Sequence, residues 1–206
     1  MPGLQTLGVF FGASVALALS PGPDILFVVA QSVEHGRRAG LCVTAGLCTG
    51  LIGHTAVVAL GAGEVLTRVG FLLPLLKGLG AAYLCHVAWQ SVRHANAAAH
   101  LEPAAALSGA LLYRRGVVMN LTNPKVTLFF LALLPQFVDA EAGRIPGQLV
   151  LLGGVFMLAA ALVFGAAATL AGGVASSVVR SHRTRRWLHY GAAAVLVALA
   201  LRLLLD

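Results

Sequence analysis

Six long apolar segments, separated by short polar stretches, account for most of this chain. They cover about 4–33, 40–61, 71–92, 116–138, 148–172 and 187–205. A helix of about 20 apolar residues crosses the hydrocarbon core of a bilayer. The pattern therefore predicts an all-α integral membrane protein with six transmembrane helices. The first segment is longer than a span requires, which fits a tilted or discontinuous helix.

The first segment is interrupted near its middle by Pro21, Gly22 and Pro23. Each proline lacks an amide hydrogen and its ring clashes with the carbonyl four residues earlier, so the first helix is predicted to be broken there. Asp24 follows directly and is the only acidic residue inside any apolar segment. A broken backbone at membrane depth is tolerated where it faces protein or a water-filled cavity, and a carboxylate there indicates a functional site.

A second interruption lies in the fourth segment, where Pro124 follows Asn123 and precedes Lys125. Aligning Pro124 with Pro23 puts Lys125 and Asp24 at equivalent positions of the two halves. A single proline in a membrane helix is often only a kink. Two interruptions at corresponding positions, each followed by an ionisable residue, favour a substrate and coupling-ion site near the midplane of the bilayer.

Three further polar residues are candidates for this site. Asn120 and Asn123 share a helix face if the helix holds that far, and they either donate to a substrate carboxylate or satisfy carbonyls freed by Pro124. Lys77, in the third segment, is either a counter-ion for Asp24 or a lysine whose amine reaches the membrane interface along its apolar stem.

The remaining histidines and cysteines predict neither a metal site nor a cofactor. His54 and His86 lie inside apolar segments without an evident ligand partner, and structural roles are expected for both. The thiols show no ligand spacing and are expected to act as small buried apolar groups; they are Cys42, Cys48 and Cys85.

Composition supports a single membrane domain over residues 1–206. Hydrophobic residues make up 59% of the chain and charged residues 10%, with a mean hydropathy of +0.90. No polar stretch is long enough to fold as a soluble domain. The net charge of +7 does not indicate nucleic-acid binding, because the basic residues lie in short loops between apolar segments.

The distribution of arginines predicts the topology. Loops one, three and five carry nine arginines, against three on the opposite side. The positive-inside rule places these loops in the cytoplasm and both termini outside. Residues 1–93 and 107–206 then enter the membrane from opposite sides as an inverted 3+3 repeat, joined by a loop over 94–106. Because no basic residue precedes the first apolar run, a cleaved signal peptide is not expected.

Several local sequences resemble the LysE/RhtB family of exporters. They occur in the family's order over nearly the whole chain: Pro-Gly-Pro-Asp at 21–24, Gly-Ala-Ala-Tyr-Leu at 80–84, Asn-Pro-Lys at 123–125, Phe-Phe at 129–130 and Leu-Pro-Gln-Phe-Val at 134–138. The resemblance implies a six-helix protein of the bacterial inner membrane that exports amino acids or related small metabolites, in exchange for protons. It does not select the substrate.

The expected function is therefore secondary transport, with Asp24 as the proton-coupling residue that holds a substrate ammonium group. Lys125 and nearby amides are expected to hold the substrate carboxylate. In the absence of substrate, Asp24 is expected to pair with Lys125 or Lys77. The alternatives are a membrane scaffold without transport activity and a metal-ion exporter, whereas an enzyme is disfavoured because no catalytic pattern occurs in the segments. The sequence leaves the oligomeric state open, a homo-oligomer included.

Overall fold

The computed structural model describes residues 2–20, 22–68, 72–95, 106–139, 142–171 and 182–205. All the regular elements in these ranges are helices. In chain order they are α1 (Leu4–Leu19), α2 (Pro23–His35), α3 (Arg37–Arg68), α4 (Leu72–His94), α5 (Gly109–Leu121), α6 (Pro124–Leu128), a π segment (Phe129–Leu133), a 3-10 segment (Leu134–Phe137), α7 (Ile145–Leu170) and α8 (His182–Leu205).

Both predicted interruptions are present. α1 ends at Leu19 and α2 begins at Pro23, and the two helices are bent by 61°. α5 ends at Leu121 and α6 begins at Pro124, with a bend of 47°. A proline in the first turn of a helix is favoured because the amide it lacks has no partner there in any case. Each of these prolines therefore starts a new helix; Pro21 lies outside the described residues.

Several segment boundaries differ from those expected. The residues 34–38, expected as a loop, reduce to a turn at Gly36, whose φ of 83° suits a glycine, between α2 and α3. α3 continues through the expected second loop as far as Arg68. α5 begins at Gly109, before the arginines that were expected to precede it, because the Ser108 side chain accepts the amide of Leu111 and caps the helix. α8 likewise begins at His182 rather than near residue 187.

The helices are apolar enough for a bilayer. Among the described residues, Arg37–Gly61 and Ile145–Leu170 could each cross a membrane, and the count rises to four if each bent pair forms one span. Large apolar side chains point outward on these helices, including Leu60 on α3, which is 84% exposed, and Leu158 on α7, which is 55% exposed. Outward leucines are expected where the surrounding solvent is lipid.

The helix α3 is central to the bundle and packs against α2, α5 and α7, while α4 packs along α8. The contact of α3 with α5 depends on glycines. A Cβ added at Gly116 would lie 2.5 Å from the carbonyl oxygen of Val43 and 3.1 Å from the Cα of Gly46. A Cβ at Gly46 would collide with the carbonyl of Tyr113. Gly46 and Gly116 thus mark a face where the backbones of two helices approach closely.

An aromatic cluster fills the core beside the second break. Phe129 and Phe130 of the π segment both pack on Phe156 of α7, with ring centroids 5.0 Å and 5.1 Å away. Phe10 of α1 packs on Phe137 at 4.9 Å. The cluster joins α1, the π and 3-10 segments and α7, and so fixes the two broken helices against the same core.

The Gly116 contact gives a stability test. Gly116→Ala should lower the free energy of unfolding of the purified protein in detergent by about 1–3 kcal/mol, because the added methyl meets backbone atoms that cannot rotate away. The change is measured by thermal unfolding.

The matched control is Gly154→Ala on α7, where an added Cβ meets nothing within 4 Å. That substitution should leave stability unchanged or raise it slightly, since alanine is the better helix former. Equal effects of the two substitutions would contradict the described packing of α3 on α5.

Candidate functional site

Lys125 closes the first break from the opposite half of the chain. Its Nζ donates to the carbonyl oxygens of Leu17 at 3.1 Å and Ser20 at 3.0 Å. In a continuous helix the amide at position 21 would serve Leu17, and a proline has none. The Lys125 ammonium therefore replaces a backbone donor that the sequence removes.

Asn123 joins the two breaks. Its Oδ1 accepts the amide of Lys125 at 3.0 Å, which caps the N-terminus of α6. Its Nδ2 donates to Oδ2 of Asp24 at 2.7 Å. Because Asp24 lies in the first turn of α2, its carboxylate also lies at the positive end of that helix. One asparagine thus fixes the start of α6 and binds the acidic residue of α2.

Asp24 is 2% exposed, and its second oxygen, Oδ1, is buried without a hydrogen-bond partner. The Oδ1 of Asn120, which is 1% exposed, is also buried without one. Asp24, Asn120 and Lys125 line one cavity of about 10 Å³, which is room for about one water molecule. Buried acceptors without partners are costly, so their presence beside a cavity is characteristic of a binding site.

His54 closes the second break. The amide at position 124 would serve the carbonyl of Asn120 in a continuous helix, and Pro124 has none. The Nε2 of His54, on α3, lies 3.1 Å from that carbonyl oxygen, and the backbone amide of Asn123 donates to the same oxygen at 3.1 Å. The His54 ring packs on Phe130 with centroids 5.6 Å apart.

Four of the five candidate residues predicted from sequence come together here: Asp24, Asn120, Asn123 and Lys125. Asp24 accepts a hydrogen bond from Asn123. The ionisable side chains close enough to interact with its charge are those of Lys125 and His54. Lys77 is half-buried on α4 and is not among them.

Asp24 and Lys125 lie close enough for their charges to interact, but their hydrogen bonds go elsewhere: the Lys125 amine donates to backbone carbonyls, and Asn123 donates to the carboxylate. Of the two alternatives left open for the asparagine side chains, the structure does not show them at the carbonyl freed by Pro124, because His54 and the backbone amide of Asn123 contact that carbonyl.

His54 was expected to have a structural role only, and its position at the site was not predicted. The available signal was its presence, as an ionisable residue, inside an otherwise apolar segment. His86 carries the same signal but lies apart, where it bonds Gln90 at 2.8 Å.

Comparison with known proteins identifies the family of this chain. The family model described as LysE type translocator matches residues 15–206, which include both breaks and every residue of the site. This chain belongs to that family. It is therefore a membrane transporter and not an enzyme.

Named relatives include efflux proteins. The chain is 35% identical over 163 residues to a homoserine/homoserine lactone efflux protein of Salmonella typhi, covering 79% of each chain. It is 36% identical over 138 residues to the protein of the same name in Salmonella typhimurium, covering 67% of each. A leucine efflux protein of Enterobacter sp. is 29% identical over 143 residues, with 66% of this chain and 63% of the relative covered. No solved structure matches the chain.

The bonds of Lys125 predict a stability effect. Lys125→Met keeps an apolar stem of similar length but leaves the carbonyls of Leu17 and Ser20 without their donor. We expect it to lower stability in detergent by about 3 kcal/mol or more.

Lys77→Met is the matched control, because the described part of the chain shows no hydrogen bond or ion pair to the Lys77 amine. It should change stability by less than about 1 kcal/mol. If the two variants unfold at the same temperature, Lys125 does not hold the first break.

Proposed function

We propose that this protein exports amino acids or related small zwitterionic metabolites from the cytoplasm in exchange for protons. The observation that carries the proposal is the buried carboxylate of Asp24, which is bonded through one oxygen to Asn123, has no partner at the other, and lines a cavity shared with Lys125. A zwitterion offers one charged group for each of these residues. The printed names of the homoserine and leucine efflux relatives support a substrate of this chemical class.

The hydrogen bonds already present suggest how each end of the substrate binds. An ammonium group has three donors, and Oδ1 of Asp24 is an acceptor without a partner. The Lys125 ammonium also has three donors, and two are used by Leu17 and Ser20. Its third remains for a substrate carboxylate, with Asn120 in the same cavity as a further polar contact.

Proton coupling follows if Asp24 binds either a proton or the substrate ammonium. Facing the cytoplasm, the ionised carboxylate holds the ammonium group. Facing outward, where the proton activity is higher, protonation removes the negative charge and releases the substrate. The protonated carrier then returns to face the cytoplasm, where Asp24 releases its proton and is ionised again for the next substrate.

An opening of the site must accompany this cycle, because a cavity of about 10 Å³ is too small for an amino acid. The proposed inverted repeat provides a route. In the proposed repeat, α3 is equivalent to α7 and α4 is equivalent to α8. The structure has α3 in contact with α7 and α4 in contact with α8. The contact of α3 with α5 likewise corresponds to that of α7 with α1. Rocking of one half against the other would open the site to either side.

The proposed placement is the bacterial inner membrane, with six spans and both termini outside. The bent pairs α1–α2 and α5–α6 each form one span, and α3, α4, α7 and α8 form the others. The alternative of a scaffold without transport activity does not fit the family. For a metal-ion exporter, the described residues offer no group of three potential His, Cys, Asp or Glu ligands.

Asp24→Asn tests the coupling residue. The substitution preserves size and polarity but removes the titrating group, so efflux of homoserine or leucine driven by a proton gradient should fall at least tenfold. Efflux is measured from loaded vesicles at external pH 6 to 8, with correct insertion checked by protease protection.

The control is Asp139→Asn, a carboxylate in the loop before α7, which should export at the wild-type rate. Wild-type efflux by Asp24→Asn at every pH would remove Asp24 from the mechanism.

Topology gives a separate test. Reporters active only in the periplasm should be active when fused at either end of the chain, and inactive when inserted at Gly36 between α2 and α3. An active reporter at one terminus and an inactive one at the other would exclude the six-span inverted repeat, whatever the substrate, and inactive reporters at both would overturn the proposed orientation.

A further inference from the structure

The backbone carbonyl of Asn120, on α5, contacts His54 on α3 and the N-cap residue of α6, Asn123. It lies four residues before Pro124, so the helical partner it would have is missing from the sequence. The hydrocarbon of a bilayer offers no donor to replace that partner. The oxygen instead receives the His54 ring from α3 and the backbone amide of Asn123, each at 3.1 Å.

The chemistry of this contact fixes the proton on the His54 ring. A carbonyl oxygen only accepts hydrogen bonds, so Nε2 must carry a hydrogen. His54 is 8% exposed, and its ring lies against Phe130. The imidazole is therefore held in one orientation with its donor directed at the break.

α3 contacts Asn120 through two residues, Gly50 and His54. Gly50 and His54 are four residues apart and so lie on one face of the helix. A Cβ at Gly50 would lie 2.7 Å from the Asn120 side chain, so only a glycine permits that approach. Gly50 makes room for the side chain of Asn120, and His54 binds its carbonyl.

The same carbonyl connects His54 to the acidic residue. The amide that shares it belongs to Asn123, whose Nδ2 donates to Asp24 at 2.7 Å. A displacement of the Asn120 carbonyl moves the residue that binds the carboxylate. The charged groups that face this chain of bonds are Asp24 on α2 and Lys125 on α6.

We propose that His54 is a positioning residue of the transport site, which acts on Asp24 through Asn120 and Asn123. It touches neither substrate nor carboxylate; it supplies the donor that Pro124 removes and so holds Asn123 in reach of Asp24. The importance of His54 for efflux rests on the proposed function, whereas its effect on Asp24 does not.

The test compares His54→Leu, which removes the donor, with His54→Gln, whose amide can reach the same carbonyl. His86→Leu is the matched control, since His86 contacts Gln90 on its own helix and is exposed. The probe is dicyclohexylcarbodiimide, which modifies protonated carboxyl groups in apolar surroundings. Modification of Asp24 is measured by mass spectrometry on the full-length protein in membranes, with Asp24→Asn as the blank.

A hydrogen bond from an amide favours the ionised carboxylate over its protonated form. His54→Leu should therefore increase Asp24 modification at neutral pH at least threefold, while His54→Gln and His86→Leu stay within about 1.5-fold of wild type. Removing Asn123 as well, in His54→Leu/Asn123→Ala, should add nothing further, because both changes break the same bond. Folding of each variant is checked by thermal unfolding in detergent.

Wild-type modification in a folded His54→Leu protein would overturn the proposal. So would a His54→Gln protein that behaves like His54→Leu, since the donor alone would then not be what matters. Efflux is measured in parallel: if wild type exports no amino acid but labelling follows the expected order, the proposed function fails and the role of His54 remains.

Discussion

A carbonyl group without a hydrogen-bond donor cannot be left in the interior of a membrane protein, and the structure around both breaks answers this constraint. Pro21 and Pro124 each remove the amide that a helix would offer to the residue four positions earlier. At Leu17 the missing donor is supplied by Lys125, and at Asn120 by His54. In both cases the donor is a side chain from a different helix. The breaks therefore connect helices to one another as well as interrupting them.

Under the proposed function, the same side chains serve both the stability of the breaks and transport. Lys125 holds the end of α1 and also lines the cavity beside Asp24. Asn123 caps α6 and also binds the carboxylate. In the proposed cycle, a substrate bound beside Asp24 would compete for groups that keep two helix ends in place, which would couple binding to rearrangement of the breaks through shared hydrogen bonds. A site of this kind can transmit occupancy to the helices without a separate switch.

The sequence predicted the breaks at Pro23 and Pro124 and the grouping of Asp24, Asn120, Asn123 and Lys125, because backbone chemistry and rare intramembrane charges are local signals. It did not predict the partners. Alignment of the two halves put Asp24 opposite Lys125, and the two are close, yet the amine donates to backbone carbonyls and Asn123 donates to the carboxylate. Which acceptors the Lys125 amine reaches depends on where α1 ends in space, and residue spacing along the sequence does not show that position.

The helix boundaries were missed for a related reason. The arginines at 37 and 114 were expected to lie in loops, but Arg37 is the first residue of α3 and Arg114 lies within α5, since a charged side chain on a helix can extend along its apolar stem to the polar interface. His54 was missed because its partner, a backbone carbonyl, carries no signature in the sequence. Only knowledge that α3 lies against α5 connects it to Pro124.

At each break a proline removes a backbone donor, and a side chain distant in the sequence replaces it. This dependence has a consequence for how such proteins evolve. If Pro124 is replaced by any residue with an amide hydrogen, the helix can serve Asn120 itself, and position 54 is released to become apolar. The reverse order is harmful, because losing the histidine first removes a donor to this carbonyl while Pro124 still prevents the helix from replacing it, and the Asn123 amide is then left as its partner. Positions 54 and 124, far apart in the chain, are thus expected to vary together among descendants of one ancestor, with the proline changing first.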